Sequence, residues 1–216
     1  IVDVSSVGEY TIELNPPANW TITTPSSYTF TLAPEENSTD NNFGFYPNSI
    51  NNSINPYITS GINRCNWEVN YNLTYVNEGT TTGTQGIVIF QPDDLTSLVS
   101  ANPPPDSIDV NGNIYWHFND LLPFQHEEVQ LVFQMPGVES LGEQLSMNAI
   151  VQTLDATGMQ VATSSFGYRP TIVCAYDPND KQVNPPGLGA AHQTLMEEEL
   201  FYTIRFQNTG NDTAFN

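Results

Sequence analysis

Residues 67–75 read WEVNYNLTY, and the pattern of this stretch decides the fold class. Large apolar residues occupy every second position, and polar residues occupy the positions between them. Because successive side chains of a β-strand point to opposite faces of the sheet, the alternation predicts a strand with one buried face. The side chains predicted to point into the core are those of Trp67, Val69, Tyr71, Leu73 and Tyr75.

The same alternation returns along the rest of the chain, in residues 10–14, 28–32, 129–133, 145–151 and 201–206. Clusters rich in Asn, Asp, Pro and Gly separate these stretches, for example NG at 111–112 and DATG at 155–158. Such clusters reverse the chain between antiparallel strands. Many short strands with regular turns predict an all-β sandwich or barrel.

The composition of the 216 residues excludes several classes of function. Asp and Glu number 24 against 4 Lys and Arg, which gives a formal net charge of -20. Because nucleic-acid phosphates are held by basic side chains, we expect no nucleic-acid partner. No apolar run reaches the roughly 18 residues of a membrane span, so we expect no membrane insertion. Aromatic residues at 11% are too many for a disordered acidic tail, so the chain is expected to fold.

An internal repeat links the middle of the chain to its C-terminal end. Residues 71–82, YNLTYVNEGTTT, match residues 202–213, YTIRFQNTGNDT, which lie 131 positions later. Both copies read aromatic-x-aliphatic-x-aromatic-x-Asn-x-Gly-x-x-Thr, the pattern of a strand followed by a turn. The spacing predicts the end of one β module in residues 1–50, a complete sandwich in 51–175, and a linker with the first strands of a second sandwich in 176–216.

Two stretches of the chain resemble known families of surface domains. The string CAYDPNDKQVNP at 174–185, followed by FYTIRFQNTGNDTAFN at 201–216, resembles the junction between tandem immunoglobulin-like conserved-repeat domains. Those domains occur in large surface proteins that bacteria export by the type IX secretion route. Residues 8–46, from GEYTI onward, resemble the last strands of a transthyretin-like repeat, a stalk module of bacterial adhesins.

The resemblance implies a fold and a role for the chain. It implies tandem antiparallel β-sandwiches of immunoglobulin-like, Greek-key type, located outside the cell. It implies structural or adhesive work without catalytic apparatus, and a C-terminal sorting domain elsewhere in the parent protein.

Cys65 and Cys174 are the only cysteines, and they fall near the start and the end of the middle sandwich. An even number of cysteines in a chain that resembles secreted proteins predicts a disulfide. The bond would close a long loop, which chain-entropy arithmetic values at about 4 to 5 kcal/mol of stability. The alternative is a pair of buried free thiols.

Asp177, Asn179 and Asp180 bring three oxygen-bearing side chains together before the second repeat copy. Calcium binds six to eight oxygens, so a calcium ion at this linker is one interpretation, with further oxygens from the second sandwich. The alternative is a plain type I turn with Pro178 at its second position. Calcium is the only cofactor that the sequence suggests.

Catalytic motifs are missing from the sequence. His117, His126 and His192 lie on different segments, and the chain has no nucleophile elbow, zinc-protease motif or phosphate-binding loop. We therefore expect no enzymatic activity.

Five aromatic residues are candidates for a sugar-binding platform: Trp67, Trp116, Phe118, Phe124 and Phe133. Their positions in alternating strand patterns favour the protein core instead, where aromatic rings bury most area.

These features together indicate a non-enzymatic structural or adhesive segment of a large secreted bacterial cell-surface or filament-forming protein. We expect it to associate with copies of itself or with neighbouring modules of its parent. Two alternatives remain open. The segment is an adhesin module that binds glycans or other cells, or it is an accessory domain of a secreted hydrolase.

Overall fold

The computed structural model describes residues 6–175, 180–184, 194, 199–205, 207 and 210–213. They contain fifteen strands, paired antiparallel, and one short 3-10 helix, Val138–Ser140. Within this part of the chain no helix has the length and hydropathy of a membrane span.

Four short strands precede the middle of the chain. They are β1 (Gly8–Glu13), β2 (Trp20–Ile22), β3 (Ser27–Leu32) and β4 (Phe45–Pro47). β1 pairs with β3, and β2 pairs with β4, so these N-terminal strands form two separate ribbons. The alternation in residues 10–14 and 28–32 predicts two of these strands, β1 and β3, and the structure contains both.

Nine strands follow and form two sheets. They are β5 (Ile54–Ser60), β6 (Glu68–Asn77), β7 (Gly83–Gln91), β8 (Ser97–Asn102), β9 (Ser107–Ile108), β10 (Ile114–Leu121), β11 (His126–Gln134), β12 (Met147–Leu154) and β13 (Gln160–Tyr168). One sheet has the order β5-β6-β11-β8, and the other has the order β13-β12-β7-β10-β9. The chain therefore crosses repeatedly from sheet to sheet, as in an immunoglobulin-like Greek key. The chain thus has the predicted all-β, antiparallel sandwich fold.

The core lies between the two sheets. On β6 the side chains of Val69, Tyr71, Leu73 and Tyr75 are buried, which confirms four of the five inward positions predicted from the alternation. Aromatic rings join the sheets across the core. Tyr75 packs against Phe118 and Phe90 packs against Phe133, each with ring centroids 5.6 Å apart. Hydrophobic burial of this kind is the main favourable term in folding.

Trp67 is the position where the predicted inward face is wrong. Its side chain is 54% exposed, because β6 begins only at Glu68. The preceding residues make a tight turn: the Trp67 N–H donates to the Arg64 carbonyl at 3.2 Å, and Asn66 has a left-handed φ of 62°. Strand geometry begins only after this turn, so the side chain of Trp67 does not point into the core. Its ring lies 5.6 Å from the Arg64 guanidinium.

The five aromatic residues considered for a sugar-binding platform also divide into buried and exposed ones. Trp116, Phe118 and Phe133 are buried in the core, as their strand positions favoured. Phe124 is 51% exposed, since it lies in the loop between β10 and β11 with a left-handed φ of 68°. The core interpretation is therefore wrong for Trp67 and Phe124.

Two further strands, β14 (Asp180–Asn184) and β15 (Phe201–Arg205), form an antiparallel C-terminal hairpin. The alternation in residues 201–206 predicts β15, and the structure confirms it. The division of the chain at residues 50 and 175 stays a prediction.

Candidate functional site at the two ends of the sandwich

Asn77 organises the turn that follows β6. Its side chain is buried, and its Nδ2 donates to the carbonyls of Thr81 and Leu121, each at 2.8 Å. Its Oδ1 accepts from the Gly79 N–H at 3.0 Å. A Cβ on Gly79 would collide with the carbonyl oxygen of Asn51, so only glycine fits this close approach. The Asn-x-Gly part of the repeat is therefore a fixed turn that presses against the chain leading into β5.

Thr80 and Asn51 hold each other by two hydrogen bonds at this turn. The Asn51 N–H donates to Thr80 Oγ1 at 2.8 Å, and the Thr80 N–H donates to the Asn51 carbonyl at 2.8 Å. The Thr80 hydroxyl also donates to the carbonyl of Ser49 at 2.7 Å. We call the reciprocal pair of Thr80 and Asn51 the first clasp. It ties the chain that enters the sandwich to the first turn of the sandwich.

Asn211 and Cys174 form the same arrangement at the other end. The Cys174 N–H donates to Asn211 Oδ1 at 2.9 Å, and the Asn211 N–H donates to the Cys174 carbonyl at 3.1 Å. The Asp212 N–H reaches the same carbonyl at 3.3 Å. We call the reciprocal pair of Asn211 and Cys174 the second clasp. It ties the chain that leaves the sandwich to the turn after β15.

The strand register allows the two clasps to be compared. In the first hairpin, Tyr71 of β6 faces Ser60 of β5. In the second hairpin, Tyr202 of β15 faces Val183 of β14. Tyr71 and Tyr202 are the first residues of the two repeat copies, so the two facing pairs are equivalent.

Measured from these facing pairs, the clasps occupy identical positions. Asn51 lies nine residues before Ser60, and Cys174 lies nine residues before Val183. Thr80 and Asn211 lie nine residues after the tyrosines of the same pairs. The connection between the facing residues is eight residues longer in the second hairpin. Residues before this connection therefore recur at a spacing that is eight positions shorter than the 131 positions between residues after it. The clasp is therefore a repeated feature of the fold.

The Cys65–Cys174 disulfide lies beside the second clasp. The structure contains the predicted bond, with the two Cα atoms 5.3 Å apart. Backbone hydrogen bonds support it: the Cys65 N–H donates to the Val173 carbonyl at 3.0 Å, and the Val173 N–H donates to the Asn63 carbonyl at 2.9 Å. Cys174 is thus bonded covalently to the sandwich and by hydrogen bonds to the turn after β15.

Arg64 and Asp212 add an ion pair at the same place. The Arg64 Nε donates to Asp212 Oδ2, and Nη2 lies 3.4 Å from Oδ1. The hydrogen bond from Arg64 lowers the pKa of the Asp212 carboxyl below its usual value, and the same bond raises the pKa of Arg64. Both groups are therefore charged across the physiological range, and they join the C-terminal turn to the sandwich.

Phe124 forms the corresponding side contact at the N-terminal end. Its ring centroid lies 4.9 Å from that of Trp20 and 6.4 Å from that of Phe45, on β2 and β4 respectively. Each end of the sandwich therefore has a clasp and a separate side-chain contact. These contacts can hold neighbouring segments in a set orientation.

The proposed calcium ligands fall largely outside this description. Asp177 and Asn179 lie outside the described residues, and of Asp180 the structure describes only the backbone, which pairs with Arg205. Among the residues that are described, no group of three His, Cys, Asp or Glu side chains is placed to hold a metal. Calcium binding at Asp177, Asn179 and Asp180 stays a prediction.

The clasp residues Asn51, Thr80 and Asn211 were missed by reasoning from the sequence. One signal was present: in both repeat copies the residue after the turn glycine carries a side-chain oxygen. Their partners lie far away in the sequence and differ in type, so no local pattern marks them.

Comparison with known proteins gives one family match and several distant structural likenesses. Residues 177–216 match a family described as a domain of unknown function, DUF7619. That match covers only the C-terminal end of the chain. No curated protein is significantly similar to the chain in sequence.

Three solved structures illustrate the likenesses. A form of BcpA, the major pilin subunit of Bacillus cereus, is 8% identical, with 95% of this chain and 70% of that chain covered and a TM-score of 0.43. The collagen-binding domain from a Staphylococcus aureus adhesin is 10% identical, with 54% and 96% covered and a TM-score of 0.38. AvmM, which catalyses macrocyclisation in alchivemycin A biosynthesis, is 12% identical, with 56% and 89% covered and a TM-score of 0.38. These values carry no argument about activity or partners.

Proposed function

We propose that this chain is a non-enzymatic structural segment of a secreted bacterial surface protein in which sandwich modules are joined end to end. Residues 51–175 are one complete module in this proposal, and residues 1–50 and 176–216 belong to its neighbours. The observation that carries the proposal is the recurrence of the clasp at both ends of the sandwich, at the same register. In each clasp a backbone N–H donates to a side-chain oxygen, and the backbone carbonyl of the same residue accepts in return. A segment built only to bind a ligand has no need of the same joint at each end.

The clasp suits a stiff spacer for a physical reason. One hydrogen bond lets two segments rotate about it, whereas two reciprocal bonds between the same residues restrict that rotation. The contact of Phe124 with Trp20 and Phe45 adds a second point of attachment at the N-terminal end. The Arg64 and Asp212 ion pair does so at the C-terminal end. Segments attached at two separate points keep a set orientation, unlike domains joined by a flexible linker.

An extracellular location is part of the proposal. The Cys65–Cys174 disulfide supports it, because cytosolic reductants keep most thiols reduced. Export by the type IX route is also proposed, on the resemblance of residues 174–216 to junctions of proteins that use this route.

The test is backbone nitrogen-15 relaxation of the oxidised full chain. If the joints are stiff, amides of the N-terminal strands and of the sandwich share one rotational correlation time. Thr80→Val removes the hydroxyl that accepts from Asn51 and donates to the Ser49 carbonyl, so the N-terminal strands should acquire a shorter correlation time of their own. Thr82→Val, at an exposed residue of the same turn, is the matched control and should change nothing.

Two results would overturn the proposal. One is separate correlation times for the N-terminal strands and the sandwich in the unaltered chain. The other is an equal effect of Thr80→Val and Thr82→Val, which would mean that the first clasp does not orient the neighbouring strands.

A further inference from the structure

The disulfide occupies the point where the chain leaves the sandwich. The chain enters the sandwich at β5, which begins at Ile54, and it leaves after Cys174. In a stalk, tension is applied along the chain between these two points. Cys65 lies soon after β5, so the disulfide connects the start of the sandwich directly to its end.

The backbone around the disulfide runs in a direction that tension loads in shear. Arg64 and Val173 form a parallel bridge, unlike the antiparallel pairs of the two sheets. Pulling at the two chain ends moves the paired segments along each other in opposite directions. Hydrogen bonds at 2.9 and 3.0 Å join Val173 to Asn63 and Cys65. Shear loads these bonds together only in the reduced chain, because an intact disulfide passes the tension directly from Cys65 to Cys174.

We propose that the Cys65–Cys174 disulfide carries the tension of the stalk and removes residues 66–173 from the path of force. This inference rests on the proposed function, because it matters only in a chain that is pulled from both ends. Tension passes from β5 through residues 61–65 to the disulfide and on to Cys174. The core strands β6 to β13 lie outside that path and carry no tension. The second clasp then holds the turn of the following module at the same residue.

The length of chain that is protected is large. The two cysteines are separated by 109 positions in the sequence and by 5.3 Å between their Cα atoms. At roughly 3.6 Å per extended residue, the segment between them would contribute about 390 Å of extension if it unfolded under load. With the disulfide intact, only the chain before Cys65 can be drawn out of the sandwich.

The experiment is single-molecule force extension of the full chain, held by its two ends. Oxidised chains are expected to lack the long extension step, and chains treated with dithiothreitol are expected to show a step longer by about 390 Å. The Cys65→Ser, Cys174→Ser double variant, pulled without reductant, should show the long step as well. The Cys65→Ser single variant leaves Cys174 in its clasp and serves as a second version of the same test.

Two results would overturn the inference about the path of force. Labelling of both cysteines by a thiol reagent in the denatured, unreduced chain would overturn it, because no disulfide would then be present to carry tension. Equal steps with and without dithiothreitol, in chains whose reduction is verified by mass, would overturn it as well. If the double variant does not fold, the comparison of oxidised and reduced wild-type molecules, folded before reduction, still decides. Failure of this inference can be distinguished from failure of the proposed function. Separate correlation times in the nitrogen-15 relaxation experiment would overturn the proposed stiff joints, whereas only the force-extension steps decide the path of force.

Discussion

Two buried tyrosines of β6 show how single side chains join packing to chemistry. Tyr71 and Tyr75 place their rings in the core and direct their hydroxyls to Asn63 and Glu127. Burial is the main reason that the pKa of each hydroxyl is raised well above the ordinary 10.0, and for Tyr75 the hydrogen bond to Glu127 raises the pKa further. The folded protein therefore keeps protons that the unfolded chain releases near pH 10.

This difference predicts alkaline sensitivity. The contribution of the two tyrosines to the free energy of unfolding is complete below pH 10 and is lost as the pH rises above it, by about 1.4 kcal/mol per pH unit for each tyrosine. We expect the urea midpoint to be constant between pH 8 and 9.5 and to fall steeply above pH 10. Tyr75→Phe should make the fall less steep, and Tyr46→Phe, at an exposed ring, should leave it unchanged. A midpoint that stays constant up to pH 11 would contradict the prediction.

The loop between β10 and β11 is the element that links the sandwich to the N-terminal strands. The Gln125 N–H donates to the Leu122 carbonyl at 3.0 Å, and the Phe124 N–H donates to the Asn77 carbonyl at 2.8 Å. These bonds hold Phe124 in its left-handed conformation and direct its ring outward against Trp20. The Nε1 of Trp20 is buried and has no hydrogen-bond partner among the described residues.

Removing this ring tests the element. Phe124→Ala should expose Trp20 to water and shift the tryptophan fluorescence to longer wavelength, because the ring that covers the indole is lost. Leu122→Ala changes an exposed apolar residue of the same loop and is the matched control. Limited proteolysis should also cut the N-terminal strands faster in Phe124→Ala than in the control. Identical spectra for the two variants would show that the loop does not cover Trp20.

Charge dominates the behaviour of the whole molecule. A net charge of -20 repels neighbouring copies at low salt. At roughly 0.5 M salt the Debye length falls to about 4 Å, so this repulsion is screened. We therefore expect association between copies to strengthen as salt rises, the reverse of an interface built from paired charges.

Sedimentation velocity across a salt series measures this effect. The expected result is a rising sedimentation coefficient with sodium chloride, and a larger rise when calcium is added, because divalent ions bridge carboxylates. The Asp177→Asn, Asp180→Asn double variant reports how much of the calcium effect depends on the predicted linker site. A monomer at every salt and calcium concentration would contradict self-association.

The candidate site was accessible to sequence reasoning only in part. The pairing of Cys65 with Cys174 was predictable because the chain has only two cysteines and resembles secreted proteins. The clasp was not predictable, since Asn51 and Cys174 share no chemistry beyond the backbone groups that they offer. Backbone groups are common to every residue, so composition gives no sign of which ones will be held.

The sequence by itself determined the all-β fold, the inward face of residues 69–75 and the turn at Asn77, because these depend on local period and turn chemistry. Only the tertiary structure decided the positions of Trp67 and Phe124, both apolar yet half exposed, because loop backbone rather than residue type directs them. The two clasps were also decided only by the tertiary structure. Their partners meet only after two strands of a hairpin have paired in register, and that contact joins residues far apart in the chain.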